Sequence, residues 1–319
     1  MLAVRMMKVE DVKTVAVIGA GLMGHGIAQV FAQAGYDVRL RDIKQEFLTN
    51  AINKMNENLQ KLAAAGVVRA GEIGSIMSRV RTTLDMKEAL ENSDFMIEAA
   101  TESMDLKKEI FREASKLSPE NAVLATNTSG LPIADIANAT SRPGRVVGTH
   151  FWNPPYLLRA VEVVKGATTT DETVRVACDL LTKVGKRPVV VKKDVPGQIG
   201  IRILYAMLRE AMYLVEKGVA SAEDVDTVVK EALGSRLPVV GVLELADLSG
   251  VDLVLMVSKR LFKDLDNSPD VSKFLESMVA QGHTGIKAAK GFYNWTPETI
   301  AATIKRRDDH LVKILKGAA

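Results

Sequence analysis

The sequence predicts an α/β fold, a doubly wound and largely parallel sheet followed by an all-helical domain, and three observations predict it. Short β-branched runs alternate with helical-period segments over the first 195 residues, as βαβ units do. A glycine-rich turn joins the first such run to the first helical segment. Past Asp194-Val195-Pro196-Gly197, a charged stretch ending in two turn formers, only helical periodicity remains.

The expected strands are Thr14 to Ile18, Asp37 to Arg41, Phe95 to Ala99, Ala122 to Asn127, Val146 to Phe151, Ala160 to Lys165 and Pro188 to Lys193. From about Gln45 to Ala65, Phe47, Ile52, Met55, Leu59 and Leu62 recur at helical spacing, long enough for a projecting helical arm near 45–68. In the second half Ile203, Leu204, Met207, Leu208, Ala211, Leu214 and Val215 form one apolar stripe. Ser221 with Asp224 reads as a capping box for a helix that faces Val225, Val228, Val229, Ala232 and Leu233 one way and stops at Gly234. One further helical segment, about Val242 to Leu265, is apolar over more of its surface than a two-layer domain needs, which points to a subunit interface. The last residues, with Lys305, Arg306, Arg307, Asp308 and Asp309, read as a terminal helix with a solvated face.

A length of 319 residues suits two domains, 1–195 and 196–319. Hydrophobic residues at 47% and charged residues at 25% exclude a mainly disordered chain. A net charge of +3, from 42 basic and 39 acidic residues, is too even for a nucleic-acid binder. The one cysteine, Cys178, can form neither an internal disulfide nor a cysteine-based zinc site, so no metal is expected and a reducing compartment is. Met1 to Met7 lacks a long apolar core and no apolar run could cross a bilayer, so the expectation is a cytoplasmic protein without a membrane partner.

Gly19-Ala20-Gly21-Leu22-Met23-Gly24 matches G-x-G-x-x-G between a strand and a helix. Gly19 allows the tight turn, Gly21 lets backbone approach a pyrophosphate, and Gly24 lets the helix pack closely. The phosphates would sit at the helix N-terminus, where unpaired N–H groups and the macrodipole favour anions. Asp42, at the end of the second strand, would accept a hydrogen bond from a ribose 2′-OH and repel a 2′-phosphate, which favours NAD over NADP although Arg39, Arg41 and Lys44 flank it. The pattern is that of a Rossmann-type domain.

His150 ends a strand and precedes Phe151-Trp152-Asn153-Pro154-Pro155, which puts it at the carboxyl edge of the sheet, where α/β folds bind ligands. Glu162 lies among Ala160, Val161, Val163 and Val164, and a carboxylate buried there needs a partner. His150 on the neighbouring strand is the natural one, and a His–Glu pair suits taking a proton from an alcohol as hydride leaves for nicotinamide.

Gly19 to Gly24, Asn127-Thr128-Ser129-Gly130, His150 to Pro154, Val161-Glu162-Val163, Asp194 to Gly197, Gly285-Ile286-Lys287 and Gly291-Phe292-Tyr293 fall in the order and spacing of a known family. The chain resembles the short-chain L-3-hydroxyacyl-CoA dehydrogenases, 3-hydroxybutyryl-CoA dehydrogenase among them. The resemblance implies NAD-dependent oxidation of a 3-hydroxyacyl-CoA to the 3-keto compound, in fatty acid metabolism, by a homodimer with a helical dimerisation domain. It implies His150 as general base, Glu162 as its orienting carboxylate and Ser129 as a donor to the reacting oxygen. It puts Leu22, Met23, Glu102, Lys107 and Asn127 with the glycines and Asp42 at the cofactor, and Asn153, Lys54 and Lys61 with Ser129 at the substrate.

Two departures bear on the substrate. Ile201 stands where the family carries an active-site asparagine, with Gln198 a neighbour able to substitute, and an isoleucine offers no hydrogen bond. Ala63-Ala64-Ala65-Gly66-Val67-Val68 ends the arm with little charge for coenzyme A phosphates. Relatives in the superfamily oxidise free hydroxy acids, sugar acids, carnitine or a pyridine-carboxylate aldehyde, and the Val189 to Gly197 segment, Asn153-Pro154-Pro155 and Trp295 to Glu298 resemble that last branch too. A dinucleotide-binding protein with little catalysis is the third alternative.

Overall fold

A computed structural model describes residues 7–317; Met1 to Met6 of the opening stretch, and the last two residues, lie outside them. The strands are β1 (Thr14–Ile18), β2 (Asp37–Arg41), β3 (Val80–Thr83), β4 (Phe95–Glu98), β5 (Val123–Thr126), β6 (Val146–Phe151), β7 (Ala160–Val164) and β8 (Arg187–Val191). They form one sheet in the order 3-2-1-4-5-6-7-8, and every neighbouring pair is parallel except β6 with β7. The connection 152–159 carries no helix and is too short for the crossover that parallel strands require, so β7 must return antiparallel. β3 was not expected from the sequence: an edge strand with only Thr83 buried, it lacks an apolar signal.

Alternate residues of the strands enter two separate cores, so the sheet is covered on both faces. Val15, Val17, Val38, Leu40 and Ile97 pack with α1 (Gly24–Gln33), α2 (Gln45–Ala64), α3 (Ile73–Ser78) and α7 (Asp171–Lys183). Ala16, Ile18, Met96 and Leu124 pack with α4 (Met86–Leu90), α5 (Met104–Leu117) and α6 (Ile133–Ala137). This is the doubly wound Rossmann-type arrangement. The helix expected from about Gln45 forms as α2, and its stripe of Leu48, Ala51, Met55 and Leu59 is buried in the first core against α1, where it is more stable than in water.

The chain divides into two units, one of residues up to 201 with those from 307 on, the other 202–306. α8 (Gly200–Glu216) begins at the division. The second unit holds α9 (Ala222–Val228), capped by Ser221 Oγ on the Asp224 amide at 3.1 Å and prolonged by a π-turn to Gly234. The expected single helix over 242–265 is two, α10 (Val242–Ser249) and α11 (Val251–Leu261), broken at Gly250, whose φ of +88° no helix accommodates. α12 (Lys273–Ala280) and α13 (Pro297–Gly317) complete the helices, and the end of α13 belongs with the first unit. No residue in 202–306 is buried, and Val239 and Leu243 are 84% and 82% exposed. No helix among the described residues is long and apolar enough to cross a membrane.

Candidate active site

The loop after β1 separates the three glycines by duty. Gly19 has φ +103°, and a Cβ there would fall 2.7 Å from the Ala99 carbonyl oxygen. A Cβ on Gly24 would lie 2.8 Å from the Gly19 carbonyl carbon and overlap its oxygen, so the first turn of α1 packs on the loop itself. Gly21 faces open space, the cradle that a pyrophosphate brought up to bare backbone requires. α1 has no side-chain cap, which leaves its N-terminus to an anion. Leu22 and Met23 supply the loop's remaining backbone. His25 is buried and its Nδ1–H donates to the Gly21 carbonyl at 2.8 Å; burial pushes its pKa down. These residues fit a dinucleotide.

Asp42 follows β2, and its two oxygens accept from the amides of Ala20 and Ile43, each at 2.6 Å. The carboxylate thus ties the second strand to the glycine loop while it faces a cleft of about 400 Å³, shared with Gly19 to Leu22, Phe47, Lys54 and Ala99 to Thr101. Lys54 belongs to this cleft, and Lys61 is exposed on the same helix two turns on.

His150 pairs directly with Glu162 across the antiparallel β6–β7 ladder. His150 Nδ1 lies 2.8 Å from Glu162 Oε2, and both residues are 4% exposed. The other carboxylate oxygen accepts from the amides of Ile199 (2.8 Å) and Gly200 (3.0 Å) at the start of α8. Burial pushes the Glu162 carboxyl up, but the bonds from His150 and from those two amides outweigh it and hold the pKa below the usual value. With an ionised Glu162 accepting, Nδ1 carries the hydrogen and Nε2 keeps a lone pair for a substrate proton. Trp152 lies beside the imidazole with ring centroids 5.0 Å apart. Gln198, two residues before α8, is buried with φ +45° and its Oε1 has no partner.

A second buried charge cluster was not foreseen. Lys107, read from the resemblance as a cofactor contact, is 1% exposed and donates to Glu98 at 2.7 and 2.9 Å and to Glu102 at 3.3 Å. Its ammonium thus ties Glu102, whose side chain is half exposed, to the buried Glu98. Glu98, at the end of β4, also accepts from Thr126 Oγ1 and from the Ala100 amide, each at 2.7 Å. Its signal is that of Glu162, a carboxylate in an otherwise apolar strand. Glu102 Oε1 in turn accepts from Thr128 Oγ1 and from the Ser129 amide, the latter at 3.1 Å. Asn127 Oδ1 accepts from the Phe151 amide at 2.7 Å, so it locks the Ser129 loop to the strand that carries His150.

Asn153 is exposed at the start of the loop between β6 and β7. Lys186 fastens that loop: buried, it donates to the carbonyls of Pro155 (2.5 Å) and Leu158 (2.9 Å). Burial, with Arg159 adding a smaller push, brings its pKa down to about 8. A cavity of about 540 Å³ lies in the helical unit among Leu208, Met212, Met278 and Trp295 and contains none of the expected site residues. Among the described residues no group of three His, Cys, Asp or Glu side chains could hold a metal ion.

Two family models match the chain: the NAD-binding domain of 3-hydroxyacyl-CoA dehydrogenase over residues 14–195 and its C-terminal domain over 197–295. The chain is 36% identical over 310 residues to 5-formyl-3-hydroxy-2-methylpyridine 4-carboxylate 5-dehydrogenase of Mesorhizobium japonicum, covering 96% of this chain and 99% of that one. It is 37% identical to 3-hydroxybutyryl-CoA dehydrogenase of Clostridioides difficile, covering 88% and 98%. Among solved structures, that of the pyridine-carboxylate enzyme, an NAD+ dependent dismutase, superposes with a TM-score of 0.89 at 35% identity over 96% and 98% of the two chains. The (S)-3-hydroxybutyryl-CoA dehydrogenase of Ralstonia eutropha gives 0.75 at 32% identity over 90% and 100%.

Proposed function

Since the chain belongs to the 3-hydroxyacyl-CoA dehydrogenase family and is an NAD-dependent oxidoreductase, we propose that it oxidises the 3-hydroxy group of a 3-hydroxyacyl-CoA to a ketone, reversibly, with His150 as the base. The observation that carries the reading is the buried His150–Glu162 pair, whose 2.8 Å contact leaves one imidazole nitrogen for the substrate. NAD, when bound, supplies the two-electron acceptor. His150 Nε2 takes the hydroxyl proton, and Glu162 stabilises the imidazolium that results. The Ser129 hydroxyl donates to the reacting oxygen and holds it for that transfer. In the reverse direction the imidazolium returns its proton to the alkoxide.

His150→Gln should lower turnover by about 10²–10⁴-fold and leave NAD affinity nearly unchanged. Turnover at the wild-type rate would remove His150 from the mechanism.

A second reading, oxidation of a small free acid or a pyridine-carboxylate aldehyde, is favoured by specific features. α2 packs on the core, Lys54 lines the dinucleotide cleft, and Ile201 offers no hydrogen bond. The relative that acts on a pyridine carboxylate also matches nearly the whole chain. Turnover of 3-hydroxybutyryl-CoA against free 3-hydroxybutyrate, gulonate, carnitine and 5-formyl-3-hydroxy-2-methylpyridine 4-carboxylate, followed by the absorbance of reduced nicotinamide, separates the readings. NAD binding with no turnover on the whole panel would favour a binding protein.

The partner we propose is a second copy of this chain. A helical unit with no buried residue has no core by itself, and the exposed Val239, Leu243, Leu248, Val251 and Met256 are what an obligate dimer would cover. The lone, half-buried Cys178 supports a cytoplasmic setting.

A further inference from the structure

We infer that Trp152 and Gly200 are a matched pair that positions the His150–Glu162 couple, an inference that rests on His150 as the base. The indole touches both ends of that couple. On one side its ring centroid is 5.0 Å from the His150 ring, tilted by 58°. On the other it lies on the bare Cα of Gly200: a Cβ built there would come within 2.8 Å of Cη2 and closer still to Cζ2. The amide of this same glycine donates to Glu162 Oε1, beside that of Ile199.

Gly200 is the first residue of α8 and its φ is not positive, so the backbone there does not itself call for glycine. Here alanine would meet the six-membered ring of the indole and drive it toward the imidazole. Trp152 is therefore a positioning residue. It covers the carboxylate's backbone donors and limits the tilt of His150, and Gly200 is the side chain left out to make room for it. Glu162 is hydrogen-bonded to the imidazole, so a shifted ring alters the length and angle of that one bond.

The test reads the contact directly. The chain has two tryptophans, so in a Trp295→Phe background the emission reports Trp152 alone. An imidazolium in contact with an indole quenches it, whereas neutral imidazole does so weakly. Trp152 emission should fall on acidification in step with the protonation of His150, and this step should vanish in His150→Gln and shift in midpoint in Gly200→Ala. Turnover of Gly200→Ala, on the best substrate of the panel above, should drop by about tenfold to a hundredfold with NAD affinity unchanged. Trp152→Phe removes the atoms that Cβ would strike, so the double variant Trp152→Phe/Gly200→Ala should match Trp152→Phe alone to within about threefold. An emission step that survives His150→Gln, an unshifted midpoint in Gly200→Ala, or additive losses in the double variant would overturn the pairing. Retained turnover in His150→Gln with the emission step abolished would overturn the base assignment and leave the contact standing.

Discussion

Glu162 Oε2 lies 2.8 Å from His150 Nδ1, directly across the single antiparallel strand pair of the sheet. The register of this ladder sets the two side chains opposite each other on one face of the sheet. The amides of Ile199 and Gly200 fix the carboxylate's other oxygen.

Glu162→Gln should cost about 10²–10⁴-fold in turnover, because a neutral amide cannot stabilise the imidazolium and can select the wrong tautomer. It should also change acid stability. The folded-state pKa of Glu162 lies below its ordinary 4.5, so its contribution to stability is complete above 4.5 and is lost as pH falls through the lower folded value. The stability gap between wild type and Glu162→Gln should narrow between about pH 5 and about pH 2, as read from urea midpoints. A gap that does not change with pH would mean that the carboxylate is not held in its charged form.

Lys107→Met should destabilise the fold by about 3–5 kcal/mol, since Glu98 would remain buried without its cation. Equilibrium denaturation checks it, and an unaltered midpoint would show that the cluster readily takes up water.

Asp42→Ala should weaken NAD binding by about tenfold or more while NADP binding holds or improves, because the variant loses both an acceptor and a repelling charge. Calorimetric titration with each nucleotide reads the ratio. An unchanged ratio would reduce Asp42 to a loop anchor for Ala20 and Ile43.

Leu243→Arg, on α10, should convert a dimer to a monomer with a lower unfolding midpoint, since a charge would be buried where the partner copy packs. Sedimentation velocity over a concentration series decides it. A wild-type chain that stays monomeric at all concentrations would end the dimer proposal.

Local chemistry carried much of the site into view before any fold was known. The glycine spacing after Val15 to Ile18 marks a dinucleotide turn, because only a residue without Cβ survives at Gly19 and Gly24. A carboxylate among valines announces Glu162, and the same argument would have reached Glu98. The ion pairs of Lys107 with Glu98 and Glu102 leave no signal in its own helix, and β3 leaves none because an edge strand can be polar. Gly250 was read through because a single glycine is tolerated inside a helical pattern unless its backbone turns positive.

By itself the sequence determined seven of the eight strands, the cofactor loop and the pairing of His150 with Glu162, all of which follow from periodicity and the chemistry of single residues. Only the tertiary structure decided where α2 lies, what Lys107 faces and why position 200 is glycine. Those depend on which surfaces meet across long separations, as Trp152 meets Gly200, and side-chain packing of that kind leaves no local pattern.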